Sequence, residues 1–420
     1  MNILFLSQTF PDSDSPARGT YNFALCRELA QDHQVRVISP RSWPEVWKRR
    51  LRVKSAYSAG NLVTGAGLRV EYPTYYYCPK LMQHRSGEWM AKSVRKAVRS
   101  LTKDFTPDAV LSYWAHPEGA AGLEIAQSFD VPSACIVGGS DVLLLPHGNR
   151  RRGAEVRRVL TESSAIISVS EGLREATMAL GVPGERVHTV YQGIDPRQFY
   201  PGDQSVARTR LQLPPDIPVI VWVGRMVDVK CLDQLIEAAF LLHQQGHRFR
   251  LCLLGDGPLK GMLEQQVASL GMQNSVLFAG AVGHDLLPDW YRAADVTVLS
   301  SRSEGLPNVF RESLACGVPF VSTDVGSIRE IADSRYSQLV PVGDPVQLMR
   351  GLVAVLTGPH REGAAGYVPR KWSDTAVEVS EILLSLKRES QRKRTGTLGR
   401  GSTMPGAGLE VRESVGHTNG

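Results

Sequence analysis

The stretch Val219-Ile220-Val221-Trp222-Val223-Gly224-Arg225-Met226-Val227-Asp228-Val229-Lys230 decides how the rest of the chain is read. Its first five residues are apolar and mostly β-branched, which suits a short strand buried on both faces of a parallel sheet. Gly224 then frees the backbone, and two cations five residues apart follow where the next helix begins. An arginine fork, a lysine point charge and helix amides together suit a diphosphate. On its own the segment reads equally well as a solvated turn.

The same unit repeats downstream. Strands are expected at 219–223, 250–254, 275–278, 296–299 and 320–322, alternating with helices at 231–243, 259–270, 286–293, 309–316 and 347–356. Upstream, strands at 3–7, 35–39, 109–112, 133–137, 165–169 and 187–190 alternate with helices at 20–31, 119–129 and 171–179. Pro196, Pro201, Gly202, Pro214, Pro215 and Pro218 crowd the stretch between the two series. The expected fold is therefore α/β, with two doubly wound halves at 1–200 and 201–372. A helical stripe over 374–387 needs a surface to cover, and residues 389–420 are basic, then rich in Gly, Ser and Thr, and are expected to be disordered.

The 420 residues are 42% apolar and 21% charged, the composition of an ordinary globular chain. No apolar run approaches the roughly 18 residues that span a membrane. The opening Met1-Asn2-Ile3-Leu4-Phe5-Leu6 lacks a basic flank and a cleavage site, so a cytoplasmic location is expected. Six dispersed cysteines without a C-x-x-C pair read as reduced packing residues. The net charge of +6 comes from the first half. There, residues 43–103 carry Lys48, Arg49, Arg50, Arg52, Lys54, Arg95, Lys96 and Arg99 among others, against Glu45, Glu71 and Glu88. That field suits an anionic partner.

In open α/β sheets ligands bind beyond the carboxyl ends of the strands, so the loops there are the places to search. Gly255-Asp256-Gly257-Pro258 lacks the G-x-G-x-x-G spacing of a dinucleotide site and reads alone as a tight turn. Gly280-Ala281-Val282-Gly283-His284 is small enough for a flat base to approach its backbone. The loop from Glu304 through Gly305, Leu306, Pro307 and Asn308 to Glu312 places two carboxylates eight residues apart around a turn that opens a helix. Pro307 suits a first-turn position and leaves backbone N–H groups facing an anion. One carboxylate can accept from sugar hydroxyls and the other from a ribose diol. Two solvated glutamates near a helix start are the bland alternative.

These motifs, with Ala315-Cys316-Gly317-Val318-Pro319 and Asp324-Val325-Gly326-Ser327, resemble the retaining nucleotide-sugar glycosyltransferases of family 4. Ser170-Glu171-Gly172-Leu173, Gly193-Ile194-Asp195, Trp114-Ala115-His116-Pro117-Glu118-Gly119 and Gly139-Ser140-Asp141 extend the resemblance over residues 1 to about 385. It implies a GT-B fold, two Rossmann-like domains facing a cleft, with the helix at 373–388 returning to the first. It also implies that Arg225 and Lys230 bind the donor diphosphate, with Gly255 in the same donor site. The amides of Gly305, Leu306, Pro307 and Asn308 would contact phosphate or sugar. Glu304 would touch the transferred sugar, Glu312 hold the ribose, and the backbone at Val282 meet the base. Gly19 corresponds to a donor-contacting glycine, although Arg18-Gly19 stands where many members have Gly-Gly, and Tyr191-Gln192-Gly193 replaces a frequent Pro-Asn-Gly.

His116 and Asp141 fall on the acceptor side, and His116 could donate to the leaving phosphate or a sugar hydroxyl. As isolated residues they read as a structural histidine and a helix cap. The catalytic set implied is His116, Glu304, Arg225 and Lys230. No cofactor and no metal is expected; the nucleoside diphosphate sugar is a co-substrate. Asp12-Ser13-Asp14 mimics a metal-holding D-x-D but reads as solvated between Pro11 and Pro16. His243 and His247 lack the glutamate of a zinc-protease helix. The acceptor is expected to be a glycan or lipid-linked glycan in cell-surface or extracellular polysaccharide biosynthesis. Tyr72, Tyr75, Tyr76 and Tyr77 within the basic segment suit the inner face of an anionic membrane. Nucleic acid is not expected. The competing readings are a non-catalytic nucleotide-sugar binder or another nucleotide-binding α/β enzyme. A dehydrogenase would need G-x-G-x-x-G in the first loop, and that loop lacks it.

Overall fold

The computed structural model describes residues 1–50 and 67–398. Residues 51–66 of the basic segment and residues 399–420 of the tail lie outside the described residues. The strands are β1 (Asn2–Leu6), β2 (Gln34–Ile38), β3 (Arg41–Ser42), β4 (Arg69–Glu71), β5 (Thr74–Tyr75), β6 (Ala109–Tyr113), β7 (Ser133–Val137), β8 (Ala165–Ser168) and β9 (Val187–Thr189). They are followed by β10 (Val219–Val223), β11 (Arg250–Leu254), β12 (Val276–Gly280), β13 (Val296–Leu299), β14 (Phe320–Thr323) and β15 (Ser337–Val340). Two parallel sheets result, ordered β4-β2-β1-β6-β7-β8-β9 and β12-β11-β10-β13-β14-β15, with β3 and β5 paired apart.

Helices cover both faces of each sheet, which is why β6 and β7 are buried along their whole length. In each sheet the strand order reverses once, between β1 and β6 and between β10 and β13. Ligand crevices of such sheets open at that reversal, outside the strand ends.

The chain crosses between domains earlier than residue 200. Ile194 and Phe199 already pack with Val219, Val221, Trp290 and Tyr291 in an apolar cluster of the second domain. Gly193 sits where only a glycine fits: a Cβ there would lie 2.2 Å from the backbone N of Trp372. That close approach fixes the start of the last helix, Trp372–Leu398, against the crossover.

Trp372, Ala376, Val379 and Leu383 recur at helical spacing and bury themselves in the first domain's core with Leu25 and Leu29. Lys387 pairs with Asp108 at 2.9 Å and Arg394 with Asp130 at 2.9 Å. Residues 389–398, expected to be disordered, are therefore a correction: they continue this helix. Glu389, Gln391, Arg392, Lys393 and Arg394 are good helix formers, and the preceding turns are already anchored, which carries the helix on through the weaker Thr-Gly-Thr at its end.

Asp12 is a second correction. It is buried, not solvated, because it answers the buried guanidinium of Arg41 at 2.7 Å. All six cysteines are free, and Cys78 alone is exposed.

Leu383→Ala should destabilise the protein by about 2–5 kcal/mol, the usual result of emptying a packed site. Val377→Ala on the exposed face of the same helix should stay within about 0.5 kcal/mol. Urea unfolding of both variants checks the return of the helix; equal effects would deny it.

Candidate active site

The loops that flank the reversal between β10 and β13 are joined by one ion pair. Lys230 Nζ donates to Glu304 Oε1 at 2.6 Å, and Ser301 Oγ donates to the same oxygen at 2.5 Å. Glu304 is mostly buried, and its other oxygen bonds to no described residue. Two glycines let these loops approach. A Cβ on Gly255 (φ +140°) would lie 1.8 Å from the carbonyl oxygen of Gly224, and one on Gly326 (φ +55°) would lie 1.9 Å from that of Glu304. Arg225 is exposed, and its guanidinium makes no hydrogen bond or ion pair with the described residues.

Pro307 precedes the helix Asn308–Ala315, whose first amides have no intrahelical acceptor. Glu312 lies one turn further in. Tyr291 Oη donates to its Oε2 at 2.9 Å, and His284 Nε2 lies 3.2 Å from its Oε1. Glu312, Asn308, Gly283 and His284 line a crevice of about 670 Å³ whose opposite wall is Pro16, Ala17, Thr20 and Tyr21 of the first domain. Gly19 adjoins that wall in the left-handed region (φ +65°), and a Cβ there would lie 2.1 Å from the carbonyl oxygen of Thr9. Val282 is half-buried against the second domain's core.

The two domains touch largely through polar groups and glycines, with Leu173 of the first domain against Gly305 of the second. A Cβ on Gly305 would sit 2.8 Å from the carbonyl oxygen of Gly138. Arg311, inside the Glu304–Glu312 interval, donates to Gln192 O across the interface and to Asn308 Oδ1 at 2.6 Å. Its guanidinium is pushed down to about 10 by burial. Glu330 accepts from the amides of Glu171 and Gly172 and from Tyr191 Oη, each at 2.9 Å. Ser327 Oγ donates to Ser170 Oγ at 2.7 Å. Leu306 is half-buried in the loop between.

In the first domain Asp141 is fully buried. It accepts from the amides of Gly139 at 2.8 Å and of Gly138 and Ala115 at 3.2 Å. It thereby shapes the turn that meets Gly305. Burial raises its carboxyl to about 6 against those bonds. His116 is 1% exposed, with Nε2 3.4 Å from His84 O and Nδ1 unpartnered. Burial, then the positive charge of Arg152, pushes it down to about 4, so the ring is neutral at physiological pH.

The structure thus brings together Lys230 with Glu304, Gly255 with Gly224, and Gly305 with the turn held by Asp141. It puts Glu312 on the interdomain crevice. His116 is tied to none of these by a hydrogen bond.

Sequence reasoning gave no role to Glu118, Arg311, Tyr291 or Glu330. Glu118 accepts from the amide and the side chain of Gln8 at 3.2 and 3.1 Å, across the reversal between β1 and β6. Its neighbours in the quoted motif were the available signal. Glu330 has no local signal at all, because its partners lie more than a hundred residues away.

Two Rossmann-like domains facing one crevice, with the final helix returned to the first, define the GT-B class. A family profile described as Glycosyltransferase Family 4 matches residues 19–198, and one described as Glycosyl transferases group 1 matches residues 217–358. The chain is 29% identical over 351 residues to the putative teichuronic acid biosynthesis glycosyltransferase TuaC of Bacillus subtilis, covering 81% of this chain and 85% of that one. It is 32% identical over 268 residues to D-inositol 3-phosphate glycosyltransferase 2 of Catenulispora acidiphila, covering 60% and 62%. This second match therefore spans less than two thirds of that relative.

In fold it is similar to sucrose-phosphate synthase from Thermosynechococcus elongatus, with a TM-score of 0.74 at 19% identity over 92% of this chain and 99% of that one. Anabaena HepE in complex with UDP-glucose gives a TM-score of 0.67 at 17% identity over 94% and 99%. The chain belongs to glycosyltransferase family 4 and has the GT-B fold.

Burial raises the Glu118 carboxyl to about 7, from 4.5. Between those values the folded protein holds a proton that the unfolded chain has lost, so stability falls as pH rises through the window. Glu118→Gln should therefore stabilise the protein at pH 8, by up to about 3 kcal/mol, and lose that advantage near pH 4.5. Thermal unfolding across this range checks it, and a pH-independent difference would refute it.

Proposed function

We propose that the protein transfers a hexose from a nucleoside diphosphate sugar to an acceptor hydroxyl with retention at the anomeric carbon. The carrying observation is the Lys230–Glu304 pair at the reversal between β10 and β13, with Glu312 on the crevice shared by both domains. The donor runs from the Val282 backbone, for the base, past Glu312, for the ribose, to Arg225, Lys230, Gly255, Gly19 and the amides of residues 305–308, for the diphosphate. Glu304 receives hydroxyls of the transferred sugar.

Negative charge grows on the departing diphosphate as the sugar becomes oxocarbenium-like, and preorganised cations and amides stabilise it most there. Arg225 and Lys230 take this task, so no resident metal is invoked. The leaving phosphate oxygen accepts the acceptor's proton on the same face. His116 and Asp141 belong to the acceptor side, His116 as a neutral imidazole. The likeness to the teichuronic acid biosynthesis glycosyltransferase supports a role in polysaccharide biosynthesis, and the UDP-glucose complex of HepE supports a UDP-sugar, with a GDP-sugar as the alternative.

Arg225→Ala or Lys230→Ala should lower kcat by about a hundredfold or more while the fold survives. Nucleoside diphosphate release from a panel of UDP- and GDP-sugars, with and without EDTA, measures this. Near-native rates in both variants would overturn the assignment.

A second element of the proposal is an anionic membrane surface, where a lipid-linked acceptor would be met. Trp47, Tyr76, Leu81 and Met82 are exposed, and so are Lys48, Lys80, Lys96 and Arg99 of the same segment, with Lys92 and Arg95 exposed but paired to Glu88 and Glu124. Tyr75 is not part of this face, being buried and stacked on Tyr77. Apolar tips within a positive field suit a bilayer interface. No described helix is long and apolar enough to cross a membrane. The protein should sediment with vesicles containing anionic lipid and not with neutral ones; Trp47→Ala with Leu81→Ala should weaken this severalfold. Equal binding to both vesicle types would refute it.

A further inference from the structure

Glu312 does not choose its own orientation. Each of its carboxylate oxygens faces one protein group, Oε1 the His284 ring and Oε2 the Tyr291 hydroxyl. The partner behind His284 comes from the crossover between domains. Gln198 Nε2 donates to the carbonyl oxygen of His284 at 2.7 Å and lies 3.1 Å from His284 Nδ1. Only the amide nitrogen can donate to that carbonyl, so the flip of Gln198 is settled and its second hydrogen points at Nδ1. Nδ1 must then be an acceptor, and the proton of the neutral ring sits on Nε2, directed at Glu312. Phe199, the next crossover residue, packs edge-on against the His284 ring at 5.1 Å and tilts on Tyr291 at 6.1 Å. Tyr291 is fully buried, and the half-buried His284 ring is held by its contacts to Gln198 and Phe199.

Glu312 lines the crevice with one partner on each oxygen, which leaves each oxygen able to accept one further hydrogen bond, the number that the two hydroxyls of a vicinal diol supply. We propose that His284, set in one tautomer by Gln198, is the positioning residue that aims Glu312 at the ribose diol and so makes the site discriminate ribonucleotides from 2′-deoxyribonucleotides. This rests on the donor-site reading above and adds to it a residue that the Glu304–Glu312 motif does not contain. The crossover thereby becomes part of nucleotide recognition.

The test is calorimetric binding of UDP, GDP and their 2′-deoxy forms to the full chain. The native protein should prefer the ribo form about tenfold or more, the range of a hydrogen bond to a charged group. His284→Phe keeps the ring against Phe199 but removes the N–H, and should bring the preference within about twofold. His284→Gln, which can place an amide N–H near the lost one, should restore most of it. Gln198→Leu, which leaves Glu312 untouched, should lower the preference severalfold. A preference unchanged in His284→Phe overturns the proposal while leaving the donor site in place. Binding of neither UDP nor GDP by the native protein overturns the donor-site reading itself.

Discussion

The 2.6 Å contact between Lys230 and Glu304 is the constraint on which the second domain's site depends. It ties the loop after β10 to the loop after β13, the two strands between which the sheet reverses direction. Without a partner, a carboxylate as buried as Glu304 would be costly to keep ionised, and a lysine left loose would lose the entropy gain of being preplaced. Paired, the two loops hold a cation and an acceptor in fixed register. Ser301 completes the arrangement by bonding the same oxygen, which leaves Glu304 half committed to the protein and half open.

The first domain repeats the device with different chemistry. Gln8 and Glu118 tie the loops after β1 and β6 at the corresponding reversal, through a carboxyl pushed toward neutrality instead of a full ion pair. The Thr9–Phe10 peptide that follows Gln8 in turn presses on Gly19, whose left-handed backbone admits no side chain there. Asp141 shapes the neighbouring turn through three amides and delivers it to Gly305. Each half of the crevice is thus braced by mostly buried acids, Glu304 tied to Lys230 and Ser301 in one domain, Glu118 tied to Gln8 and Asp141 to backbone amides in the other.

Strand positions were legible because short apolar runs in parallel sheets stand out against polar loops, and β7, β10, β11 and β13 fall where the runs place them. The donor loops were legible for the same reason that they are rigid: glycine, proline and charge recur there at spacings no ordinary turn needs. Helices Ser86–Leu101 and Arg150–Glu162 were not assigned, since charge-dense segments such as Arg150-Arg151-Arg152 hide a one-sided apolar stripe. The interdomain bonds of Arg311 and Glu330 were invisible because nothing local distinguishes a side chain whose partner lies in the other domain. His284 was quoted as part of a permissive loop, but its relation to Glu312 needs the three-dimensional approach of the crossover.

Glu330 reaches from one domain to the helix start of the other, and the contacts beside it are hydroxyl, carbonyl and glycine backbone. An interface of this make-up can part and re-form at little hydrophobic cost, since water satisfies each group it frees. The seam between the lobes is thus built like a reusable clasp, one that lays bare little of the greasy surface that invites self-association when it comes undone.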